Sequence, residues 1–240
     1  MRKEVLLMYS GGLDSILSCI RLVNDGYKVY LIHFDNGATI GTENIQFSAK
    51  TLTERYKNKV EFLGIANTAG RFLYYRISAN IENLNAKELY DKYGKISMSQ
   101  YRCLLCRMSM YTYIVALARK MNIKFIAEGA RKSQLFAIEQ EELINEFKIF
   151  CNKYDIKLLT PVLDLEDDYE KKQEIYLNDI YPTNPETQCL LGYPLDKKLT
   201  NEEINDIREL YKSIRHLQED DINKGRIVLS KLPKDKTTWY

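Results

Sequence analysis

The chain has 240 residues, of which 45% are hydrophobic and 28% are charged, values typical of a soluble globular protein that buries its own core. The 35 Lys and Arg residues against 33 Asp and Glu residues give a formal charge of +2, which is too balanced to indicate a nucleic acid or a membrane surface. No apolar run reaches the ~20 residues of a membrane span and no signal peptide is visible, so we expect a cytoplasmic protein.

The first half of the chain alternates between predicted strands and helices. Strands are predicted at residues 5–9, 27–34, 60–65 and 124–127, and helices at residues 16–23, 43–57 and 108–121. The first strand is a continuous apolar run, which is the pattern of a strand buried on both faces. Strand–helix alternation with tight glycine turns predicts an α/β fold, a parallel sheet with helices on both faces.

The second half of the chain is less regular. Helices are predicted at residues 138–154, 164–180 and 200–218, and a last strand at residues 157–163. We therefore expect a main domain over residues 1–165. A small, mostly helical C-terminal extension over residues 166–240 carries Cys189, and a proline-rich turn at residues 181–187 precedes that cysteine.

The first predicted strand runs into the sequence Ser10-Gly11-Gly12-Leu13-Asp14-Ser15. Two glycines let the backbone turn tightly with its N–H groups toward an anion, and the positive end of the following helix points to the same place. Asp14 suits a phosphate site only if a cation lies between them, which suggests Mg²⁺. The competing interpretation is an ordinary turn with an Asp or Ser helix cap.

This motif resembles the pyrophosphate loop (PP-loop) of the N-type ATP pyrophosphatase superfamily, and the resemblance covers about residues 4–165. It implies a Rossmann-like sheet of the adenine nucleotide alpha hydrolase type, with ATP bound by its β- and γ-phosphates. A substrate oxygen then attacks the α-phosphate, and a nucleophile displaces AMP. The residues that the resemblance assigns to the nucleotide are Ser10, Gly11, Gly12, Leu13, Asp14, Ser15, His33, Phe34, Asp35, Gly129, Arg131, Lys132 and Gln134.

The chain has five cysteines and two histidines, so any metal site is expected to use cysteine ligands. Cys103 and Cys106 form a C-x-x-C motif at the predicted start of a helix, where the helix dipole would favour thiolates. Two ligands are too few for tetrahedral zinc or an iron–sulfur cluster. Cys189, in an irregular segment, is the third candidate, whereas Cys19 and Cys151 lie in apolar helix patterns and are expected to pack in the core.

Within the superfamily, the C-x-x-C motif resembles the tRNA thiolation branch. That resemblance implies a sulfurtransferase in which Cys103, Cys106 and Cys189 are catalytic together with Asp14. The three cysteines either hold a 4Fe-4S cluster with one open iron or work through a persulfide and a disulfide; zinc is a weaker candidate. The sulfur donor would be sulfide or a persulfide carrier, and the chain could act as a homodimer.

The acceptor stays open between tRNA, a nucleobase and another small molecule. Basic and aromatic residues interleave at residues 71–76 and at Tyr101-Arg102, where rings could stack on a base or simply pack. A rival function is ammonia ligation, as in the deazaguanine nitrile synthases of the superfamily, although their late four-cysteine zinc site is missing from this sequence. A nucleotide-binding subunit without turnover is the third alternative.

Overall fold

The computed structural model describes residues 3–94, 97–182, 187–190, 199–229 and 232–233. In chain order the elements are β1 (Lys3–Met8), α1 (Leu13–Asn24), β2 (Tyr27–Asp35), β3 (Thr39–Ile40), α2 (Ile45–Tyr56), β4 (Val60–Asn67), α3 (Ala69–Ala79), α4 (Ala86–Tyr93), α5 (Met98–Met121), β5 (Phe125–Glu128), α6 (Glu141–Asn152), β6 (Lys157–Leu159), α7 (Asp168–Leu177), β7 (Gln188–Cys189), α8 (Asn201–Ile214) and α9 (His216–Asn223). Short 3-10 helices lie at Thr42–Asn44, Lys57–Lys59 and Ala137–Glu139.

Five parallel strands form the main sheet in the order β4-β2-β1-β5-β6. The side chains of β1 and the next residue alternate between two cores, because successive strand residues point to opposite faces. Leu6 and Met8 pack into one core, and Val5, Leu7 and Tyr9 pack into the other. The predicted Rossmann-like α/β fold, with helices on both faces of a parallel sheet, is confirmed.

Helix α5 begins ten residues earlier than the predicted start at residue 108. Ser97 caps it by accepting a hydrogen bond from the Gln100 backbone N–H (3.2 Å). The helix runs through the protein with buried side chains on most of its circumference, so its N-terminal half shows no amphipathic period in the sequence. This shift matters for the site, because it places the C-x-x-C motif inside the helix.

Other predicted elements also differ from the structure. Helices α3 and α4 were not expected, and α3 buries only Phe72 and Tyr75, which is too little apolar material to give a period. The strand predicted over residues 157–163 ends at Leu159, because proline at position 161 lacks the N–H needed to continue the ladder. The helix predicted over residues 200–218 is divided into α8 and α9.

Helices α7, α8 and α9 share the cores of the sheet. Ile175 of α7 belongs to the core beneath α1, and Ile207 of α8 and Ile222 of α9 belong to the core around α5. The boundary at residue 165 stays a prediction. Residues 183–186, 191–198, 230–231 and 234–240, which include most of the proline-rich turn, lie outside the described residues. Within the described ranges, no helix is both long and apolar enough to cross a membrane.

Candidate active site

The glycine turn leaves the end of β1 and enters α1. Gly11 adopts a φ of +81°, and a Cβ atom there would lie 2.8 Å from Ile45 Cδ1, so glycine is required for both conformation and space. Ser15 Oγ donates to the Gly12 carbonyl (2.8 Å), and Ser10 Oγ donates to Ser15 Oγ (3.2 Å). Gly12 caps α1 without a side-chain hydrogen bond, and the positive end of the helix dipole lies at this turn, where it favours an anion.

Asp14 is the centre of a charged network at the start of α1. Its Oδ2 accepts a hydrogen bond from Gln134 Nε2 (2.7 Å), and its Oδ1 accepts one from Lys171 Nζ (3.0 Å). Arg131 Nε lies 3.3 Å from the same Oδ1, and Arg131 and Lys171 both also pair with Asp168 (2.7 and 3.1 Å). The arrangement gathers two buried cations beside the loop, which is the charge that a polyphosphate needs.

Lys171 is a candidate that the sequence reasoning missed. It belongs to α7 and is 5% exposed, but in the sequence it stands in the charged run Glu170-Lys171-Lys172 that resembles any solvent-facing helix. Only the packing of α7 against α1 brings it to Asp14. One feature of the sequence could have indicated this position. A helix that follows the last strand of a parallel sheet packs back on the sheet surface, so one face of α7 could be expected to be buried.

Of the residues assigned to the nucleotide, Lys132 is directed elsewhere and Asp35 takes part in a turn. Lys132 pairs with Asp164 and lies 3.9 Å from Glu141, in a separate cavity of ≈ 550 Å³. Asp35 Oδ1 accepts a hydrogen bond from the Gly37 backbone N–H (2.9 Å) and so shapes the turn after β2. The structure does not bring Lys132 to the loop, although its neighbour Arg131 is there.

A cavity of ≈ 260 Å³, here called the loop cavity, opens above the glycine turn. Its lining comprises Met8, Tyr9, Ser10, Gly12, Leu13, Asp14, Ser15, His33, Phe34, Arg107, Met110, Gly129, Gln134 and Glu139. His33 is held by a hydrogen bond between its Nδ1 and the Tyr9 carbonyl (2.9 Å). A Cβ atom on Gly129 would come within 3.0 Å of the Asp14 and Ser15 backbone, so glycine keeps the strand end close to the loop.

A second cavity of ≈ 260 Å³, here called the cysteine cavity, adjoins the first. It contains Cys103, Cys106 and Cys189, together with Asn36, Thr39, Arg102, Phe136, Ile138 and Thr187. The two cavities share Ser10, His33, Phe34, Arg107, Met110 and Glu139. The structure therefore brings the three predicted cysteines together next to the loop, while Cys19 and Cys151 are buried in the two cores.

The thiols of Cys103 and Cys106 are not at a helix N-terminus. They lie five and eight residues after Met98, where α5 begins, and the helix dipole acts mainly within the first turn. Burial raises the pKa of Cys103 to about 12 and that of Cys106 to about 11, and neighbouring thiols add to both shifts. The expectation of dipole-stabilised thiolates is wrong, because α5 starts earlier than its sequence pattern indicates.

Cys189 reaches the cavity from a two-stranded ribbon. Strands β3 and β7 pair antiparallel with Thr39 opposite Cys189. Thr187 Oγ1, just before β7, donates to the Ser10 carbonyl (2.7 Å) and ties the ribbon to the glycine turn. The Asn36 amide donates to Cys106 Sγ (3.1 Å) and to Cys189 Sγ (3.8 Å), so α5 and the ribbon meet at the sulfurs.

The three thiols do not fit a preformed metal site. Searched over the described residues, which include all three, no group of three or more Cys, His, Asp or Glu side chains is arranged to hold a metal ion. The expected iron–sulfur cluster and the weaker zinc alternative thus gain no support from the geometry.

Arg107, Glu128 and Glu139 form a buried cluster in the wall between the cavities. Arg107 Nη1 donates to Glu128 (2.8 Å) and Nη2 donates to Glu139 (3.3 Å), while Tyr111 OH donates to Glu128 (2.6 Å). One guanidinium thus serves two carboxylates, and burial raises the pKa of Glu139 to about 7. Nothing in the sequence marked Glu139, because its guanidinium partner, Arg107, belongs to α5, 32 residues earlier in the chain.

The aromatic and basic stretch at residues 71–76 serves packing. Phe72 and Tyr75 are buried, and Tyr75 OH and Arg71 Nη1 donate to the fully buried Asp221 of α9 (2.8 and 2.7 Å). Tyr101 is also buried. These buried rings are not placed to stack on a nucleobase, so the interleaved pattern reflects the docking of α3 and α9.

Residues 1–191 match the family model described as Thiamine biosynthesis protein (ThiI). A curated protein, the probable tRNA sulfurtransferase of Metamycoplasma arthritidis (strain 158L3-1), is 24% identical over 132 residues, which are 55% of this chain and 30% of that protein. The chain thus spans less than a third of the length of this relative.

Two solved structures resemble the chain in fold. A 4-thiouridine synthetase in complex with RNA and bound ATP matches with a TM-score of 0.61 and 14% identity, over 92% of this chain and 53% of that chain. The NMN synthetase from Francisella tularensis matches with a TM-score of 0.52 and 12% identity, over 95% of this chain and 89% of that one. At these identities the matches bear on the fold alone.

Proposed function

The chain belongs to the ThiI family, since residues 1–191 match its model, and from that premise we propose that it is an ATP-dependent sulfurtransferase acting on tRNA. It would adenylate a substrate oxygen, release pyrophosphate and replace the oxygen with sulfur. One observation carries the proposal, namely that the loop cavity and the cysteine cavity share a wall. An adenylated carbon formed over the loop would therefore lie beside a thiol.

The charged network around Asp14 would handle the polyphosphate. Asp14 would hold the Mg²⁺ that accompanies ATP, since carboxylate oxygens are the preferred ligands of that ion, which would offset the charge of the phosphates. Lys171 and Arg131, released from Asp14, would then face the phosphates. They would stabilise the charge that develops as the acceptor oxygen bonds to the α-phosphorus and the bond to pyrophosphate breaks.

The cysteine cavity would deliver sulfur. Because the thiols do not fit a metal site, we propose the persulfide route, with sulfur taken from a persulfide donor. The neighbouring aliphatic and aromatic side chains Met110, Phe136 and Ile138 would limit water at the activated carbon, which hydrolysis would otherwise consume.

The acceptor and the setting of the enzyme belong to the proposal as well. A tRNA acceptor is supported by the names of the curated relative and of the solved RNA complex. The formal charge of +2 gives this chain little attraction for the phosphate backbone of RNA. Another domain or protein would supply the positive charge that binds the tRNA. Action in the cytoplasm and as a homodimer stay predictions.

The test is to incubate the protein with MgATP, unmodified tRNA and a persulfide donor, and to measure AMP, pyrophosphate and thiolated nucleoside by mass spectrometry. We expect all three products in equal amounts. The Cys189→Ala variant should bind ATP like the wild type and form no thionucleoside, and Cys19→Ala is the matched control. Products that incorporate ammonia would show a ligase, and absence of turnover would show a binding subunit. A brown, iron-dependent chromophore after anaerobic reconstitution would restore the cluster route.

A further inference from the structure

Asn36 lies between two of the three thiols, in an orientation that its other contacts fix. The residue follows β2 and is 7% exposed. Its Oδ1 accepts hydrogen bonds from the Ala38 backbone N–H (2.8 Å) and from Thr39 Oγ1 (3.2 Å). Only the amide oxygen can accept, so the NH₂ group must point the other way, into the cysteine cavity.

The two N–H groups of Asn36 reach Cys106 Sγ (3.1 Å) and Cys189 Sγ (3.8 Å). Within the described residues, the amide donates to no third sulfur. A thiol is a weak acceptor, whereas a thiolate or persulfide anion is a strong one, so these bonds strengthen when either sulfur gains charge. The hydrogen bond from Asn36 accordingly lowers the pKa of Cys106 against the effect of burial.

The two sulfurs differ in access. Cys189 is exposed on the ribbon, whereas Cys106 lies on α5 with partial exposure. A macromolecular or small-molecule sulfur donor can reach Cys189 directly, and Cys106 lies behind it across the Asn36 amide. The geometry therefore separates a loading position from a resolving position.

We propose that Asn36 is a positioning residue that makes Cys106 and Cys189 the working pair of thiols and leaves Cys103 outside the pair. The inference rests on the proposed sulfurtransferase function. The Cys189 thiolate takes the outer sulfur of a persulfide donor, and the donor leaves as a thiolate. The terminal sulfur of the Cys189 persulfide then bonds to the adenylated carbon, and the bond between that carbon and the AMP oxygen breaks.

The second step releases the transferred sulfur from Cys189, so that it stays on the product. The Cys106 thiolate attacks Cys189 Sγ, a Cys106–Cys189 disulfide forms, and the bond between Cys189 Sγ and the transferred sulfur breaks with its electron pair on the product. An external dithiol then reduces the disulfide for the next turnover. The ordinary expectation for a C-x-x-C motif is instead a Cys103–Cys106 disulfide, so the two pairings can be distinguished.

The experiment maps disulfides in the folded chain without ATP or RNA. The wild type is oxidised with diamide, free thiols are alkylated, and peptides are identified by mass spectrometry. We expect the Cys106–Cys189 peptide to predominate, and the Cys103→Ser variant to form it at the wild-type rate. A predominant Cys103–Cys106 or Cys103–Cys189 peptide in the wild type would overturn the proposal, whatever the variants do.

Variants of Asn36 separate donation from packing. Asn36→Leu removes both functions of the amide, and Asn36→Asp keeps the acceptor for Ala38 N–H while it removes the donor. Both should slow Cys106–Cys189 formation about tenfold, the loss expected for one hydrogen bond to a charged sulfur. They should also move the pH profile of Cys106 alkylation by iodoacetamide upward. Asn67→Leu is the matched control, because Asn67 is the exposed last residue of β4 and its side chain also accepts a backbone N–H two residues on.

The outcomes also separate this inference from the proposed function. Unchanged rates and pH profiles in Asn36→Leu and Asn36→Asp would remove Asn36 from the mechanism. Sulfur transfer by the wild type with the wrong disulfide would defeat the inference alone. The predicted disulfide in a protein that transfers no sulfur would defeat the proposed function and leave the thiol pair in place.

Discussion

The loop cavity and the cysteine cavity have a common wall, but the charged groups around the loop and in the wall are paired differently. Around the loop, Asp14 meets Lys171 and Arg131 directly, so each charge has a partner before any ligand arrives. In the wall of the cysteine cavity, Arg107 is shared between Glu128 and Glu139, and the nearby thiols of Cys103 and Cys106 have raised pKa values.

This difference indicates that the loop side is prepared to bind a charged ligand, whereas the cysteine side holds its thiols in the protonated form. The loop side can bind a charged ligand by exchanging partners, so that no buried charge is left unpaired. The cysteine side keeps its nucleophiles protonated until a proton acceptor or a hydrogen-bond donor favours the anion. Each prediction below alters one side and asks whether the other responds.

The largest effect is expected on the loop side, from Asp14→Asn. An amide keeps the size of the side chain but loses the charge that would hold Mg²⁺ and orient Lys171. Pyrophosphate release should fall on the order of 10³-fold, as measured by a coupled phosphate assay. Cys106–Cys189 disulfide formation, a property of the other side, should stay at the wild-type rate.

A parallel loss of disulfide formation in Asp14→Asn would show that the two sides are one unit. Thermal unfolding of the variant serves as the control for folding, because Lys171 retains Asp168 as a partner (3.1 Å). Pyrophosphate release at the wild-type rate would remove Asp14 from the chemistry.

The second prediction concerns the stability of the wall. The pKa of Glu139 is raised from 4.5 to about 7, so the folded state binds a proton that the unfolded state releases between these pH values. Stability from this group is therefore complete below pH 4.5 and is lost as the pH rises through 7. The loss is on the order of 3 kcal/mol, since one pKa unit is worth about 1.4 kcal/mol.

Glu139→Gln mimics the protonated carboxyl and should remove this pH dependence. Urea unfolding at pH 5 should give nearly equal free energies for variant and wild type, and at pH 8.5 the variant should be more stable. A difference between the two proteins that does not change with pH would show that Glu139 is ionised throughout. In that case the ionised carboxylates of the wall would be neutralised as fully as Asp14 is at the loop.

The third prediction tests which lysine serves the loop. Lys171→Met should lower pyrophosphate release about 10²-fold, because a positioned cation on a leaving pyrophosphate is lost. Lys132→Met should leave it unchanged, because the Lys132 ammonium pairs with Asp164 in a separate cavity. The reverse result would favour the assignment made from sequence alone.

These lysines show where sequence reasoning succeeds and where it stops. The glycine turn is contiguous, so residues 10–15 reveal both their conformation and their position after β1. Lys171 stands 157 residues from Asp14, and only the packing of α7 on α1 brings the two together. Position within a motif is also weak evidence for side-chain direction, since Arg131 pairs with Asp14 whereas the adjacent Lys132 lines a separate cavity.

The cysteine side shows the same limit in another form. The resemblance to the tRNA thiolation branch implied a joint site of Cys103, Cys106 and Cys189, and the cavity contains all three. Their protonation could not be predicted, because it depends on where α5 begins and on how deeply it is buried. Asn36 lies just after a predicted strand, but its contact with two sulfurs depends on a ribbon of two short strands.

The smallest effect is expected at the connection between the sides, the hydrogen bond from Thr187 Oγ1 to the Ser10 carbonyl. Thr187→Val keeps the branched shape and removes the donor, which should destabilise the docking of the ribbon on the glycine turn by about 1 kcal/mol. If the ribbon needs this bond to hold Cys189 against the loop, sulfur transfer should fall about fivefold with pyrophosphate release unchanged, as single-turnover assays of both products would show. Equal losses in both products would place Thr187 in the loop itself. No loss in either product would show that Cys189 keeps its place without this bond, and the contact of the Asn36 amide with Cys106 and Cys189 would then be the connection that matters between the ribbon and α5.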